Sequence, residues 1–181
     1  MSISHTPISK RHSEKPVFSK EKMAEVQRII AEYPEGKSKS ALIRILHMAE
    51  EEFGGWLSIE TMDYVAEVLN LQPIEVYEVA TFYTMFNVEP TGKFVFEVCR
   101  TGPCMLVGSD NIISYIENKL NIKVGETTED GMFTLKTAEC LGACGYGPML
   151  QCGKKYHEYL TPEKVDQLIE AYRSGNTNIE I

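Results

Sequence analysis

No stretch of the chain approaches the roughly 18 consecutive apolar residues that a membrane-spanning helix needs. The N-terminus also lacks the apolar core and small-residue cleavage site of a secretory signal. The chain therefore reads as soluble and intracellular, with no direct membrane insertion. Basic residues are outnumbered, 18 against 26 acidic, for a formal net charge of −8. That balance argues against a nucleic-acid partner and gives no basis for adhesion to anionic lipid, so the expected partners are proteins. There is no G-x-G-x-x-G after a strand and no P-loop. Acidic runs such as Glu50-Glu51-Glu52 and Thr127 to Asp130 have no partnered base or nucleophile beside them, so they read as solvated faces or turns and no catalytic residue is assigned. Cysteines number five, an odd count that fits a disulfide framework poorly.

Four of those cysteines form two short clusters, Cys99-x4-Cys104 and Cys140-x3-Cys144, each beside glycine and proline. Thiolates are soft ligands suited to zinc, copper(I) and iron-sulfur clusters, and neighbouring glycines let backbone N–H groups approach the sulfurs. The long gap between Cys104 and Cys140 means that folding must bring two separate loops together. A 2Fe-2S cluster takes two thiolates on each iron, which two loops donating a close pair apiece would supply. Zinc modules more often use C-x2-C knuckles, a spacing neither pair has, yet a structural zinc site stays open as the main rival. A thiol-disulfide oxidoreductase is the other, although that chemistry favours C-x-x-C.

Along the chain, residues 1–18 lack apolar periodicity and read as a disordered tail. A helical period follows with Met23, Val26, Ile30 and Tyr33 on one face, stopped by Pro34 and Gly36. Ser40 is placed to cap a second helix with Leu42, Ile45, Leu46, Ala49 and Phe53, ended by Gly54-Gly55. Ser58 opens a third and Pro73 the first turn of a fourth. Residues 19–88 thus form a helical domain. From Gly92 the period becomes two: Phe94, Phe96 and Val98 deliver the chain into Cys99. A helix with Ile112, Ile113, Ile116 and Leu120, a short strand at 122–124, a long strand at 133–138, a hairpin about Gly153-Lys154 and a helix capped by Thr161 complete a domain over 89–181.

With these loops in view, the chain resembles the small, 24 kDa-type iron-sulfur subunits of NADH-quinone oxidoreductases, respiratory complex I. The likeness rests on Gly55-Trp56-Leu57, Val79 to Tyr83, Cys99 to Cys104 followed by Gly108-Ser109, and Glu139 to Cys144 ahead of Pro148. It implies an α+β fold, an N-terminal helical bundle that docks onto the partner, followed by a thioredoxin-like 2Fe-2S ferredoxin domain. It also implies that Cys99, Cys104, Cys140 and Cys144 hold one 2Fe-2S cluster, as cofactor and metal ligands. The partner would be a flavoprotein subunit binding FMN and NADH, within the rest of the peripheral arm on the cytoplasmic side of a bacterial inner membrane. The chain would then be a subunit of an oxidoreductase, exchanging single electrons with that flavin and not catalytic alone. Equivalent subunits of NAD-linked hydrogenases and formate dehydrogenases share these motifs.

The chain departs from that family's pattern at Arg100 and Gly102, where small polar residues are common, and at Gly147, where alanine is. An inward-pointing Arg100 would favour the reduced cluster and raise its potential. Cys152 reads as a core residue, with a spare ligand or redox thiol as the alternative. His47 and His157 lie far in sequence from both ligand loops and read as structural or solvated. Tyr77, Phe82, Tyr83 and Phe86 are core or docking aromatics, and Trp56, in a glycine-rich link, is the preferred interface candidate.

Overall fold

The computed structural model describes residues 16–179 and divides into two units, one ending at Pro90 and one beginning at Thr91. Most of the tail expected over 1–18 lies outside the described residues. Its inner end does not follow the expectation: Phe18 is buried, its N–H donates to the Tyr64 hydroxyl at 3.1 Å, and its ring packs on Phe53 and Tyr64. Burying a whole aromatic ring offsets the entropy lost in ordering the chain that carries it.

In the first unit, α1 (Lys20–Ile30) begins where the Ser19 side chain accepts from the Lys22 N–H and buries Val26 and Ile29. Ser40 does not cap the next helix. The chain enters α2 (Leu42–Glu52) through a 3-10 turn, Ser38–Ala41, and no side chain caps α2. Ser38 Oγ instead donates to the Leu69 carbonyl at 2.8 Å. Ser58 does cap α3 (Ile59–Leu69), accepting from Thr61 N–H at 3.1 Å. Asn70, left-handed at φ 55°, ends that helix. Pro73 opens α4 (Pro73–Phe82), where its missing N–H costs nothing and the Glu75 carboxylate accepts from Gln72 N–H. Leu42, Ile45, Leu46, Leu57, Met62, Val65, Leu69 and Val76 from these elements share one core. Glu50 is more than a solvated charge, because its carboxylate accepts from the Asn87 N–H at 2.7 Å and from the Asn87 side chain at 3.1 Å.

Trp56 departs from its expected place: it is only 7% exposed, so its indole is not free to meet a partner. Phe86 is buried, and Tyr77 is half-buried with its hydroxyl donating to Asp63. Phe82 and Tyr83 are the exposed aromatics at the end of α4, edge to face with each other.

The second unit carries a four-stranded mixed sheet in the order β2-β1-β3-β4. β1 (Phe94–Cys99) runs parallel to β2 (Phe133–Ala138) and antiparallel to β3 (Leu150–Cys152), which pairs in turn with β4 (Lys155–His157). A parallel pair needs a crossover connection, and here it contains the short α5 (Pro103–Leu106) and α6 (Ser109–Leu120). The last helix, α7 (Pro162–Arg173), is capped by Thr161 and packs against α6. Phe96, Phe133, Leu135, Leu150, Ile112, Ile116, Val165, Leu168 and Tyr172 form the core between sheet and helices. Burying each such side chain stabilises by about 1.5–3 kcal/mol.

The strand expected at 122–124 is absent. Lys123 and Val124 N–H groups are taken by the Glu126 and Glu117 carboxylates. The following residues face β2 instead, through Gly125 N–H to Leu135 O, Leu135 N–H to Glu126 O and an antiparallel bridge of Thr127 with Thr134. Local carboxylates outcompete the ladder for these backbone donors, while Ile122 keeps its side chain buried. Among the described residues, no helix is long and apolar enough to cross a membrane.

Candidate metal centre

Cys99 is the last residue of β1 and sits opposite Ala138, the last of β2, in the parallel register. Parallel strands end on the same side, so the loop carrying Cys104 and the loop carrying Cys140 and Cys144 leave the same edge of the sheet. The ends are tied: Arg100 N–H donates to Ala138 O and Cys99 N–H to Met149 O, both at 3.1 Å. This is how the fold closes the sequence gap between the two clusters.

The first pair is inside. Cys99 and Cys104 are 3% and 1% exposed. Gly102, at φ 53°, turns the chain so that Pro103 starts α5 and places Cys104 in its single turn. The second pair is outside: Cys140 and Cys144 are both exposed. The loop between them reaches inward through its apolar residues, because Leu141 and Ala143 pack against Cys99, Cys104 and the fully buried Met149. Gly142 is left-handed at φ 74° and its N–H donates to Cys140 Sγ at 3.3 Å. From β4, the Tyr156 hydroxyl donates to the Leu141 carbonyl at 2.8 Å. A Cβ on Gly147 would lie 3.1 Å from both Cys104 Sγ and a Val107 methyl, so the departure from alanine at this position leaves room beside a sulfur.

All five cysteines are free thiols. Burial pushes the Cys104 thiol up to about 11, helped by its hydrogen bond with Cys99 and by the charges of Cys99, Cys144 and Cys140. The four sulfurs therefore act on one another electrostatically, and ionising them together requires compensating positive charge. Among the described residues, no group of three or more Cys, His, Asp or Glu side chains converges closely enough to hold a single metal ion. The donor set itself, four thiols with neither histidine nor carboxylate, fits a 2Fe-2S cluster with two thiolates on each iron.

The other residues singled out from the sequence lie outside this group. Arg100 has its backbone tied to Ala138 and is exposed, as are Cys140 and Cys144. Cys152 is buried on β3 and burial pushes its thiol up to about 11, while a hydrogen bond with Tyr172 opposes the rise. His157 is buried with Nε2 3.0 Å from the Tyr172 hydroxyl, and the His47 ring packs on Phe86. A cleft of about 700 Å3, lined by Leu120, Ile122, Asp130 and Arg173 among others, contains none of the cysteines. Sequence patterning did not reveal Met149 and Tyr156, because only the hairpin's return past the loops brings them there.

The family model of the thioredoxin-like 2Fe-2S ferredoxins matches residues 26–173. An NADH-quinone oxidoreductase subunit of Rickettsia felis is 44% identical over 161 residues, 89% of this chain and 96% of that protein. A mitochondrial NADH dehydrogenase (ubiquinone) flavoprotein 2 of Dictyostelium discoideum is 41% identical over 171 residues, 94% of this chain and 66% of that one. Among solved structures, an air-oxidized NAD+-reducing NiFe hydrogenase shares the fold with a TM-score of 0.66 at 19% identity, covering 75% of this chain and 23% of the hydrogenase chain.

Proposed function

Because the chain belongs to the thioredoxin-like 2Fe-2S ferredoxin family, we propose that it is the electron-carrying 24 kDa-type subunit of an NADH-quinone oxidoreductase, with Cys99, Cys104, Cys140 and Cys144 as cluster ligands. The parallel register that sets Cys99 opposite Ala138 carries the reading, since it aims both cysteine loops off one sheet edge. The cluster supplies one-electron exchange, and that chemistry is its own. The chain's part is to hold the sulfurs and control access to them. Cys99, Cys104 and Met149 form the dry side of the site. Cys140 and Cys144 face outward, leaving a short path to a protein docked on that side.

The partner is the flavoprotein subunit that binds FMN and NADH, and the assembly is the peripheral arm on the cytoplasmic side of the inner membrane. The helical domain, 19–88, forms a bundle that docks onto that partner through exposed Phe82 and Tyr83, Trp56 being buried. The ferredoxin domain, 89–181, carries the site.

The test is to mix the purified chain with its flavoprotein partner, anaerobically. NADH should bleach the chain's visible absorption when the partner is present and leave it unchanged when the chain is alone. Oxidation of NADH by the isolated chain, or no electron transfer in the mixture, would contradict the assignment.

A further inference from the structure

Tyr156 belongs to neither cysteine loop, yet its hydroxyl donates to the Leu141 carbonyl at 2.8 Å. At the other end of the same peptide group, the Gly142 N–H donates to Cys140 Sγ at 3.3 Å. We infer that Tyr156 is a positioning residue: it holds the Leu141–Gly142 peptide in the orientation that hydrogen-bonds the Cys140 sulfur, and through that peptide it raises the reduction potential of the cluster. The inference rests on the reading of the four cysteines as cluster ligands.

A peptide group is planar, so fixing its carbonyl fixes where its N–H points. The loop alone fixes it poorly. Gly142 is exposed and left-handed, and a glycine at such a position has neighbouring conformations of similar energy into which the peptide can rotate. Tyr156 supplies a reference outside the loop, since β4 is paired to β3 with Tyr156 opposite Gln151. Hydrogen bonds in series also polarise one another, so a donor on the carbonyl strengthens the N–H at the far end. The sign follows from charge. Reduction adds an electron to the cluster and density to its sulfurs, so a donor aimed at a ligand sulfur favours the reduced state and raises the potential.

The experiment is an EPR-monitored redox titration of loaded wild type, Tyr156→Phe and, as control, Tyr159→Phe, since Tyr159 is exposed just past β4 with its ring, which phenylalanine keeps, against Tyr146. Tyr156→Phe keeps the ring and removes only the donor. Its one-electron equilibrium should move toward the oxidised form by roughly threefold to tenfold, a midpoint about 28 to 59 mV lower at 59 mV per tenfold change. The exchangeable-proton coupling seen by ENDOR should weaken in parallel, while Tyr159→Phe matches wild type. The EPR signal reports only loaded molecules, so partial loss of cluster does not blur the midpoint. A loaded Tyr156→Phe protein with the wild-type midpoint overturns this inference alone. A folded Tyr156→Phe protein that takes up no cluster also overturns it, by making the phenol a structural clamp. A wild type that binds no iron and sulfide overturns the cluster reading and this inference with it.

Discussion

Cys104 and Cys152 show the same rise in thiol pKa, to about 11, for different reasons. At Cys104 burial is joined by three other sulfurs, whereas at Cys152 burial is opposed by a hydrogen bond with Tyr172 and joined only by the charge of Glu97, with no other sulfur contributing. Only the first environment gathers several sulfurs that one cationic group can serve together, since thiolates packed together need positive charge to ionise. Cys152→Ala should therefore keep full iron and sulfide content at a stability cost on the order of 1 kcal/mol for the lost packing and hydrogen bond. Cys104→Ser should lose most of the cluster. Metal analysis and urea denaturation on the two variants separate them.

His157 makes a pH prediction at the same scale. Burial, with a contribution from Lys155, lowers its pKa below the usual 6.5, so the unfolded state binds more protons in the window between the two values. By linkage its contribution to stability is present above about 6.5 and is lost as pH falls through the lower, folded value. Wild type should lose stability as pH falls below about 6.5, and His157→Gln, which has no proton to gain, should show a smaller change over the same range. Equal slopes in the two proteins, measured by denaturant unfolding, would contradict this.

At the scale of elements, the β1–β2 register decides whether the two cysteine loops meet. Gly92 sets its lower end: the Gly92 N–H donates to Thr134 Oγ1 at 2.6 Å, and a Cβ there would lie 2.9 Å from the Phe133 backbone. Gly92→Ala forces the strands apart where β1 begins, and should cost about 1–3 kcal/mol in unfolding experiments. Because the cysteines lie at the opposite end of β1, the folded variant should still carry a full cluster. Unchanged stability would contradict the close approach at Gly92, and loss of iron from the folded variant would contradict a disturbance confined to that end of the strand pair. No strand forms at 122–124, because Glu117 and Glu126 take the backbone donors that a β-ladder would have used.

Across the whole molecule, what was legible in the sequence was local and periodic. The alternation of Phe94, Phe96 and Val98 gave β1 and its delivery into Cys99, the helical stripes gave α2, α3, α6 and α7, and Ser58, Pro73 and Thr161 marked helix starts that the structure has. The four sulfurs were legible as a donor set from their spacing and from the family resemblance. Long-range outcomes were not. Trp56 sits in a glycine-rich link that looked exposed and is buried, Phe18 folds inward through Tyr64, and Tyr156 meets the ligand loop only because the hairpin returns beside it. None of these has a signature in neighbouring residues, since each depends on what tertiary folding brings alongside.

The most direct test of the account is iron and sulfide analysis with low-temperature EPR on anaerobically purified protein, before and after dithionite. A 2Fe-2S carrier gives about two irons and two sulfides per chain and an S = 1/2 signal that appears only on reduction. One zinc, no inorganic sulfide and no signal in either state would contradict it and leave the four cysteines as a structural metal site.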